Sequence, residues 1–317
     1  MRVDAAVVHS FSEAPRYEAF DIPDPAGDDQ VAAEVLVAGL HPRVRSAAAG
    51  NHYTSTGVLP MIPGIDGVAR LADGHIVYFV ADDHLPGSLA SHTVLDPRRT
   101  VPIPPDVDLA KIAAGLNPAM SSWVALRRRV PLEPGQSVLV LGATGNAGQL
   151  AIQVAKRLGA ARVVAAGRNS ARLATLPALG ADTTVPLDGS PYALAEAAAE
   201  VDIVLDYLWG QPATDAIMAV LRARPDRSRA MNWIQIGSVA GPTITLPSVA
   251  LRSANFRLQG NGQGAVSTRA YLEELPALIQ EINTGAIEVT AAESRLADIE
   301  KLWSTPEKPG TRTVLVP

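Results

Sequence analysis

The chain has 317 residues, 47% of them apolar and 19% charged, enough apolar surface for two ordinary domains and too much for wholesale disorder. A net charge of -5, from 27 basic and 32 acidic residues, leaves no polycationic footprint, so nucleic acid is not an expected partner. Cysteine is absent, which excludes disulfides and thiolate metal sites; with no long apolar run, and Asp4 where a signal peptide needs apolar residues, a soluble, cytoplasmic protein without a membrane partner is expected.

From Met1 to about Val101 short β-like runs alternate with turn signals. Ala5 to His9, Val31 to Leu40, Gly67 to Leu71, His75 to Val80 and Leu89 to Leu95 are the candidate strands. Pro23-Asp24-Pro25, Pro60, Pro63-Gly64, Asp73-Gly74 and Pro86-Gly87 punctuate them. Strands this close, without helices between them, imply an antiparallel barrel or sandwich. Pro102 to Pro105 reads as a linker, and Asp108 to Arg129 as helical pieces interrupted at Asn117-Pro118. Beyond Gln136 the pattern changes. Strands are expected at 137–142, 162–167, 183–187, 202–207 and 232–237, and helices at 147–159, 170–179, 190–200 and 213–223. That alternation is a βαβ series and predicts an α/β, doubly wound parallel sheet. Ile244 to Leu251 and Arg257 to Asn261 are expected to add its last pieces. A helix from Thr268 to Asn283 follows, and Thr311 to Val316 is a closing strand that rejoins the first domain.

The organising stretch runs from Ser137 to Gly159. Val138 to Leu141 has the apolar run of a strand buried on both faces, and Leu150, Ile152, Val154, Ala155 and Leu158 recur at helical spacing. Between them lie Gly142, Ala143, Thr144, Gly145, Asn146, Ala147 and Gly148. Glycines placed between strand and helix let backbone amides approach a diphosphate at a positive helix N-terminus, which predicts dinucleotide binding; a merely structural strand-turn-helix is the alternative.

The end of the second strand of such a unit selects the cofactor. A carboxylate there accepts hydrogen bonds from the ribose 2′-hydroxyl of NAD. Here the segment Val163 to Ser170 puts Gly167, Arg168 and Asn169 at that position, with Arg172 one turn further on. A guanidinium forks charge-assisted hydrogen bonds to a 2′-phosphate, so NADP is favoured; Arg168 as a solvated charge is the plainer reading. Ligands lie outside the carboxyl ends of parallel strands. That brings in Asp206, Tyr207 and Leu208 at the end of one strand, on the adenosine side, and Gly237, Ser238 and Val239 at the end of another, towards the nicotinamide half. Asn261-Gly262-Gln263-Gly264 is either a loop that closes over the nicotinamide or a turn.

The β-rich lead-in, Pro63-Gly64-Ile65-Asp66-Gly67, Ala143 to Gly148, Ala155-Lys156-Arg157-Leu158-Gly159-Ala160, Asp202 to Asp206 and Gly237-Ser238, in that order, resemble the medium-chain dehydrogenase/reductase superfamily. The similarity covers nearly the whole chain and is greatest to its zinc-independent quinone oxidoreductases. It implies a GroES-like β-barrel catalytic domain over 1–115 and 265–317, a Rossmann NADP-binding domain over 116–264, and NADPH-dependent reduction of quinones or α,β-unsaturated carbonyls. It implies that Ser121 sits near the cofactor phosphates and ribose, unless it merely caps a helix. It also implies that Tyr53, in the loop Arg43 to Gly57, donates a hydrogen bond or proton to the substrate, unless it packs or faces solvent. His41 stands where that branch generally has asparagine; it is a second candidate catalytic group, or part of a turn with Pro42. His52 reads as polar loop surface.

Zinc-dependent members place a cysteine after the turn that here reads Gly39-Leu40-His41, and a His-Glu pair where this chain has Ile65-Asp66. His41 and Asp66 supply two ligands at most, where a catalytic zinc needs about three; no metal is expected. The rival readings are an alcohol or carbonyl dehydrogenase of the same superfamily and a non-catalytic NADP-binding redox sensor. A serine hydrolase is not supported, because Ser238 lacks the Gly-x-Ser-x-Gly frame. A homodimer is expected, paired through an edge formed by Ile244 to Leu251.

Overall fold

In the computed structural model the described residues are 1–27, 29–308 and 310–317. The amino-terminal strands are β1 (Arg2–Val7), β2 (Arg16–Asp21) and β3 (Val31–Gly39); the short helix α1 (Pro42–Ala48) follows, then β4 (Asp66–Leu71), β5 (Ile76–Val80), β6 (His92–Leu95) and β7 (Thr100–Pro102). Helix α2 (Leu109–Val124) leads into β8 (Ser137–Leu141), α3 (Asn146–Arg157), β9 (Arg162–Gly167), α4 (Ser170–Leu173) and β10 (Thr183–Pro186). Then come α5 (Pro191–Ala198), β11 (Ile203–Asp206), α6 (Gly210–Ala223), β12 (Met231–Gln235), α7 (Ser248–Arg252) and β13 (Phe256–Gly260). The chain closes with α8 (Thr268–Asn283), β14 (Thr290–Arg295), α9 (Ile299–Trp303) and β15 (Thr311–Val316).

Two units result. The first comprises Met1–Asn117, Leu275–Gly285 and Val289–Pro317, and the second Pro118–Glu274 with Ala286–Glu288. In the first, the strand order is β14-β15-β3-β4-β5-β7, with β6 also on β3 and a separate β1-β2 pair. Every pairing there is antiparallel except β14 with β15. Leu40, Val44, Phe79, Leu89, Leu296 and Leu315 fill one apolar cluster, and Val3, Val7, Ile22 and Ile62 another.

The second unit is the expected doubly wound sheet, in the order β10-β9-β8-β11-β12-β13 and parallel throughout. Val138 to Leu141 and Val163 to Ala166 are wholly buried, which is why those strands are continuous apolar runs. Leu139, Val164, Val204, Ile217 and Trp233 join in one core on one side of the sheet, each large side chain contributing roughly 1.5–3 kcal/mol by leaving water. Helix α3 turns Leu150, Ala151, Ile152, Val154 and Ala155 inwards and leaves Arg157 exposed.

Several expectations are corrected. Pro118 does not interrupt α2, which runs through it; Ser121 and Ser122 donate their hydroxyls to the carbonyls of Pro118 and Ala119 at 2.6 and 3.0 Å. The presumed linker begins inside β7, which pairs with β5. Arg43 opens no loop: Pro42 stands at the first position of α1, where its missing N–H is no loss. Strands β2 and β14 were not expected, because their half-exposed pattern carries no continuous apolar run. Ile244 to Leu251 forms no strand. Ser248–Arg252 is helical, and the outer strand of the parallel sheet is β13, so the dimer edge expected at 244–251 is not there.

Candidate functional site

The glycine-rich turn joins β8 to α3 in the second unit. Gly142 has φ +86°, a left-handed conformation suited to glycine, and the amides of Gly142 and Ala143 both donate to the Ala166 carbonyl at 3.0 Å. Gly145 is the N-cap of α3 and has no side chain to cap with, so the first-turn amides of Asn146, Ala147 and Gly148 get no help from it. A Cβ on Gly145 would meet only the Gly142 carbonyl, at 3.5 Å. Gly148 is different. A Cβ there would stand 2.3 Å from the Gly142 carbonyl oxygen and 2.7 Å from Ala143 Cα. Gly148 therefore serves strand-helix packing, whereas Gly145 lies on the open side where a diphosphate would approach.

The end of β9 sits against this turn. A Cβ on Gly167 would fall 2.6 Å from Thr144 Cγ2. Arg168 is exposed and forms no hydrogen bond or ion pair among the described residues. Asn169 caps α4, its side-chain oxygen accepting from the Arg172 amide at 3.0 Å. The Arg172 guanidinium donates from Nη1 to the Thr144 carbonyl at 2.8 Å, while its Nε is buried without a partner. The sequence placed both arginines here but ranked Arg168 first; only Arg172 touches the glycine turn.

At the end of β11 the buried Tyr207 hydroxyl lies 2.9 Å from Ser121 Oγ. Because Ser121 spends its proton on the Pro118 carbonyl, Tyr207 is the donor of that pair. Burial pushes the Tyr207 hydroxyl up to about 12, so it remains a neutral donor. Asn261 is buried and donates Nδ2 to the Ser121 carbonyl at 2.7 Å, so Ser121 is fixed from two sides rather than serving as a helix cap. Gly262, beyond it, is exposed, and Leu208 is half-buried. Gly237 packs on Tyr207 and has no room for a side chain, since a Cβ would stand 2.7 Å from the Tyr207 carbonyl oxygen; Ser238 and Val239 are exposed.

Asp206, expected to line the adenosine side, is instead wholly buried and organises this edge. Its Oδ1 accepts the amides of Leu208 and Trp209 at 2.8 and 3.0 Å, and Oδ2 accepts Trp233 Nε1 at 3.0 Å. Burial raises its carboxyl above the usual range, against those three donors. Trp209 is held at φ +54° and ψ -160°, a conformation costing on the order of 1–3 kcal/mol in a non-glycine residue, while its side chain packs on the sheet core.

The two catalytic candidates belong to the first unit. Tyr53 is 69% exposed, its ring 4.3 Å from that of His52. His52 is not plain polar surface. It is half-buried, its Nδ1 accepts from the Thr54 amide at 3.3 Å, and burial and the Arg43 charge push it down to about 4. His41 is 3% exposed, with Nε2 3.3 Å from Asp66 Oδ1. Asp66 Oδ2 accepts the Tyr78 hydroxyl at 2.8 Å.

These residues do not fit a zinc ion. Both Asp66 oxygens are engaged, His41 faces Asp66 itself, and no cysteine exists to complete a set. Among the described residues, no group of three His, Asp or Glu side chains could hold a metal.

The sequence model of zinc-binding dehydrogenases matches residues 147–225, inside the parallel-sheet unit. The chain is 29% identical to the probable NADPH-dependent quinone reductase tdiC of Emericella nidulans, over 99% of each chain. It is 32% identical to the chloroplastic NADPH-dependent alkenal/one oxidoreductase of Arabidopsis thaliana, over 50% of this chain and 45% of that one. The putative NADPH:quinone reductase from Bacillus thuringiensis, a solved structure, shares its fold at a TM-score of 0.83 and 20% identity, over 100% of this chain and 99% of the other.

Proposed function

We propose that the chain is a member of the medium-chain dehydrogenase/reductase superfamily, on its quinone-oxidoreductase-like side, and an NADPH-dependent reductase of quinones or α,β-unsaturated carbonyls that works without zinc; the comparisons above support this reading. The observation that carries the reading is the arginine pair at the end of β9: no carboxylate stands there to hold a 2′-hydroxyl, Arg168 is exposed, and Arg172 sets a half-buried guanidinium beside the glycine turn. A 2′-phosphate is the group that fits it.

Within this proposal the parallel-sheet unit binds NADP and the antiparallel unit is the GroES-like catalytic part. The first-turn amides of α3 and the open face at Gly145 receive the diphosphate. Arg172 and Arg168 hold the 2′-phosphate, flanked by Gly167 and Asn169. Ser121, fixed by Tyr207 and Asn261, contacts the ribose and phosphates. Gly237, Ser238, Val239 and Gly262 line the nicotinamide half. When bound, NADPH supplies the hydride. The protein's own task is to orient the acceptor, exclude water and give a hydrogen bond or proton to the oxygen that becomes negative, from Tyr53 or His41.

We also propose a cytoplasmic homodimer. Its support is the outer side of β13, unpaired among the described residues, next to Val249 and Leu251 of α7, which are exposed apolar residues. The lack of cysteine accords with a reducing compartment. Among the described residues no helix is long and apolar enough to cross a membrane, and the acidic balance gives nucleic acid no electrostatic hold.

The test is to titrate the protein with NADPH and NADH, then follow NADPH consumption with quinones, enones and aldehydes. Preference for NADPH and turnover of a quinone or enone is the expected result. Binding without turnover of any acceptor would overturn the reductase reading.

A further inference from the structure

Three buried polar side chains of the first unit form a line that packing alone does not call for. Asp66 opens β4, and the antiparallel register sets it opposite Val80 of β5. Tyr78 lies two residues along β5, on the same face as the residue opposite Asp66. Asp66 is 1% exposed and Tyr78 is wholly buried, and the phenol donates to Oδ2 at 2.8 Å. His41 arrives from the N-cap of α1. The Leu40 amide before it donates to the Thr313 carbonyl of β15 at 3.0 Å, and its own carbonyl accepts the Val44 amide at 3.0 Å. Gly39, two residues earlier, has space for no side chain: a Cβ would meet the Ala113 carbonyl at 2.8 Å and His41 Cδ2 at 3.3 Å. The imidazole is thus clamped with Nε2 at 3.3 Å from Asp66 Oδ1.

A carboxylate only accepts, so this contact puts a proton on Nε2 and turns Nδ1 towards whatever else the ring serves. Among the described residues none bonds to Nδ1, so that nitrogen is the one the ring has left for a further partner. The charges around the line are Arg312, whose Nη1 is held by both Glu307 oxygens at 2.9 and 2.8 Å and whose field reaches Asp66, and Arg45 beside Glu307 and Arg312.

We propose that His41 is the proton donor of the reduction, and that Asp66 and Tyr78 are positioning residues that fix its Nε2–H tautomer and balance its charge. The inference rests on the reductase reading above. Two-electron reduction of an enone or quinone by the reduced nicotinamide leaves an oxygen anion. The Nδ1–H bond of the His41 imidazolium breaks as an O–H bond forms on that anion. The electron pair stays on Nδ1, and the neutral ring regains a proton from water. Asp66 keeps its negative charge throughout, and Tyr78 keeps its proton.

Full-length protein carrying 15N-labelled histidine tests the first half without any cofactor: long-range 1H–15N spectra report the tautomer of each ring, with His41→Gln identifying the signal. A proton on Nε2 in the wild type, disturbed in Asp66→Asn, is the expected result; a proton on Nδ1 alone overturns the proposal. Kinetics test the second half. His41→Gln keeps an amide donor for Asp66 but has no proton to give, so kcat should fall at least ~100-fold, with acceptor KM and NADPH affinity within about threefold. Tyr78→Phe should lower kcat by a smaller factor, again at constant KM; His41→Asn serves if the glutamine variant does not fold. Wild-type turnover that survives in these variants, or a loss confined to KM, overturns this inference and leaves the reductase reading intact. Failure of the wild type to bind NADPH overturns both.

Discussion

Arg172→Ala removes a guanidinium that has two separable uses. Its Nη1 donates to the Thr144 carbonyl at 2.8 Å, a partly buried contact that steadies the glycine turn for any dinucleotide. Losing it costs about 0.5–1.5 kcal/mol and should weaken NADPH and NADH alike. The guanidinium charge itself, on a half-buried side chain beside the glycine turn, is what a 2′-phosphate would meet. The charge-assisted bond between them is worth about 1.5–3 kcal/mol and exists only with NADPH. The NADPH dissociation constant should therefore rise about 10- to 100-fold more than that of NADH, at 1.4 kcal/mol per decade. Arg168→Ala removes an exposed, screened charge, worth about 0.2–1 kcal/mol, and should cost NADPH only about 1.4-fold to fivefold. Calorimetric titration of both variants with both nucleotides is the assay. Equal weakening of NADPH and NADH by Arg172→Ala would refute the assignment, and a larger loss in Arg168→Ala would reverse the ranking.

The two glycines should part company. Gly148→Ala drives a Cβ against the Gly142 carbonyl and should destabilise the fold, read as a lower melting temperature, before cofactor affinity is in question; Gly145→Ala has space and should melt like the wild type while binding NADPH more weakly. Asp206→Asn places an amide donor against Trp233 Nε1–H or the loop amides, so about 1–3 kcal/mol of stability should be lost in thermal unfolding even though a buried charge is removed. Burial raises the Asp206 carboxyl in the folded state. Its contribution to stability is therefore complete below the unfolded value of 3.8 and is lost as pH rises through the higher folded value; the asparagine variant should lack that component. His52 has the opposite dependence. Its folded value is about 4 against 6.5 unfolded, so protonation opposes folding, and stability should fall as pH drops from 6.5 towards 4. His52→Gln should flatten that part of the unfolding profile, and an unchanged slope would show that His52 is freely hydrated.

Much of the second unit was legible because its signals are local. A strand buried on both faces is a run such as Val138 to Leu141, an amphipathic helix repeats its apolar residues every three or four positions, and the glycines of 142–148 fall between them. The same locality explains the errors. Pro118 suggests a break wherever it stands, yet α2 and α8 both run through a proline, because packing outweighs one missing hydrogen bond. Ile244 to Leu251 is apolar enough for a strand, but β13 takes the position beside β12.

By itself the sequence determined that there are two kinds of architecture in this chain, where the glycine-rich turn lies, and that arginines rather than a carboxylate follow the second strand of the parallel sheet. Those follow from residue type and spacing within some 30 residues. The tertiary structure decided which arginine touches the turn, that Gly148 packs while Gly145 stays open, that Asp206 is buried under Trp233, and that His41, Asp66 and Tyr78 form one hydrogen-bonded line. Each of those is a contact between distant segments. Strand register and burial set such contacts, and no local pattern encodes them.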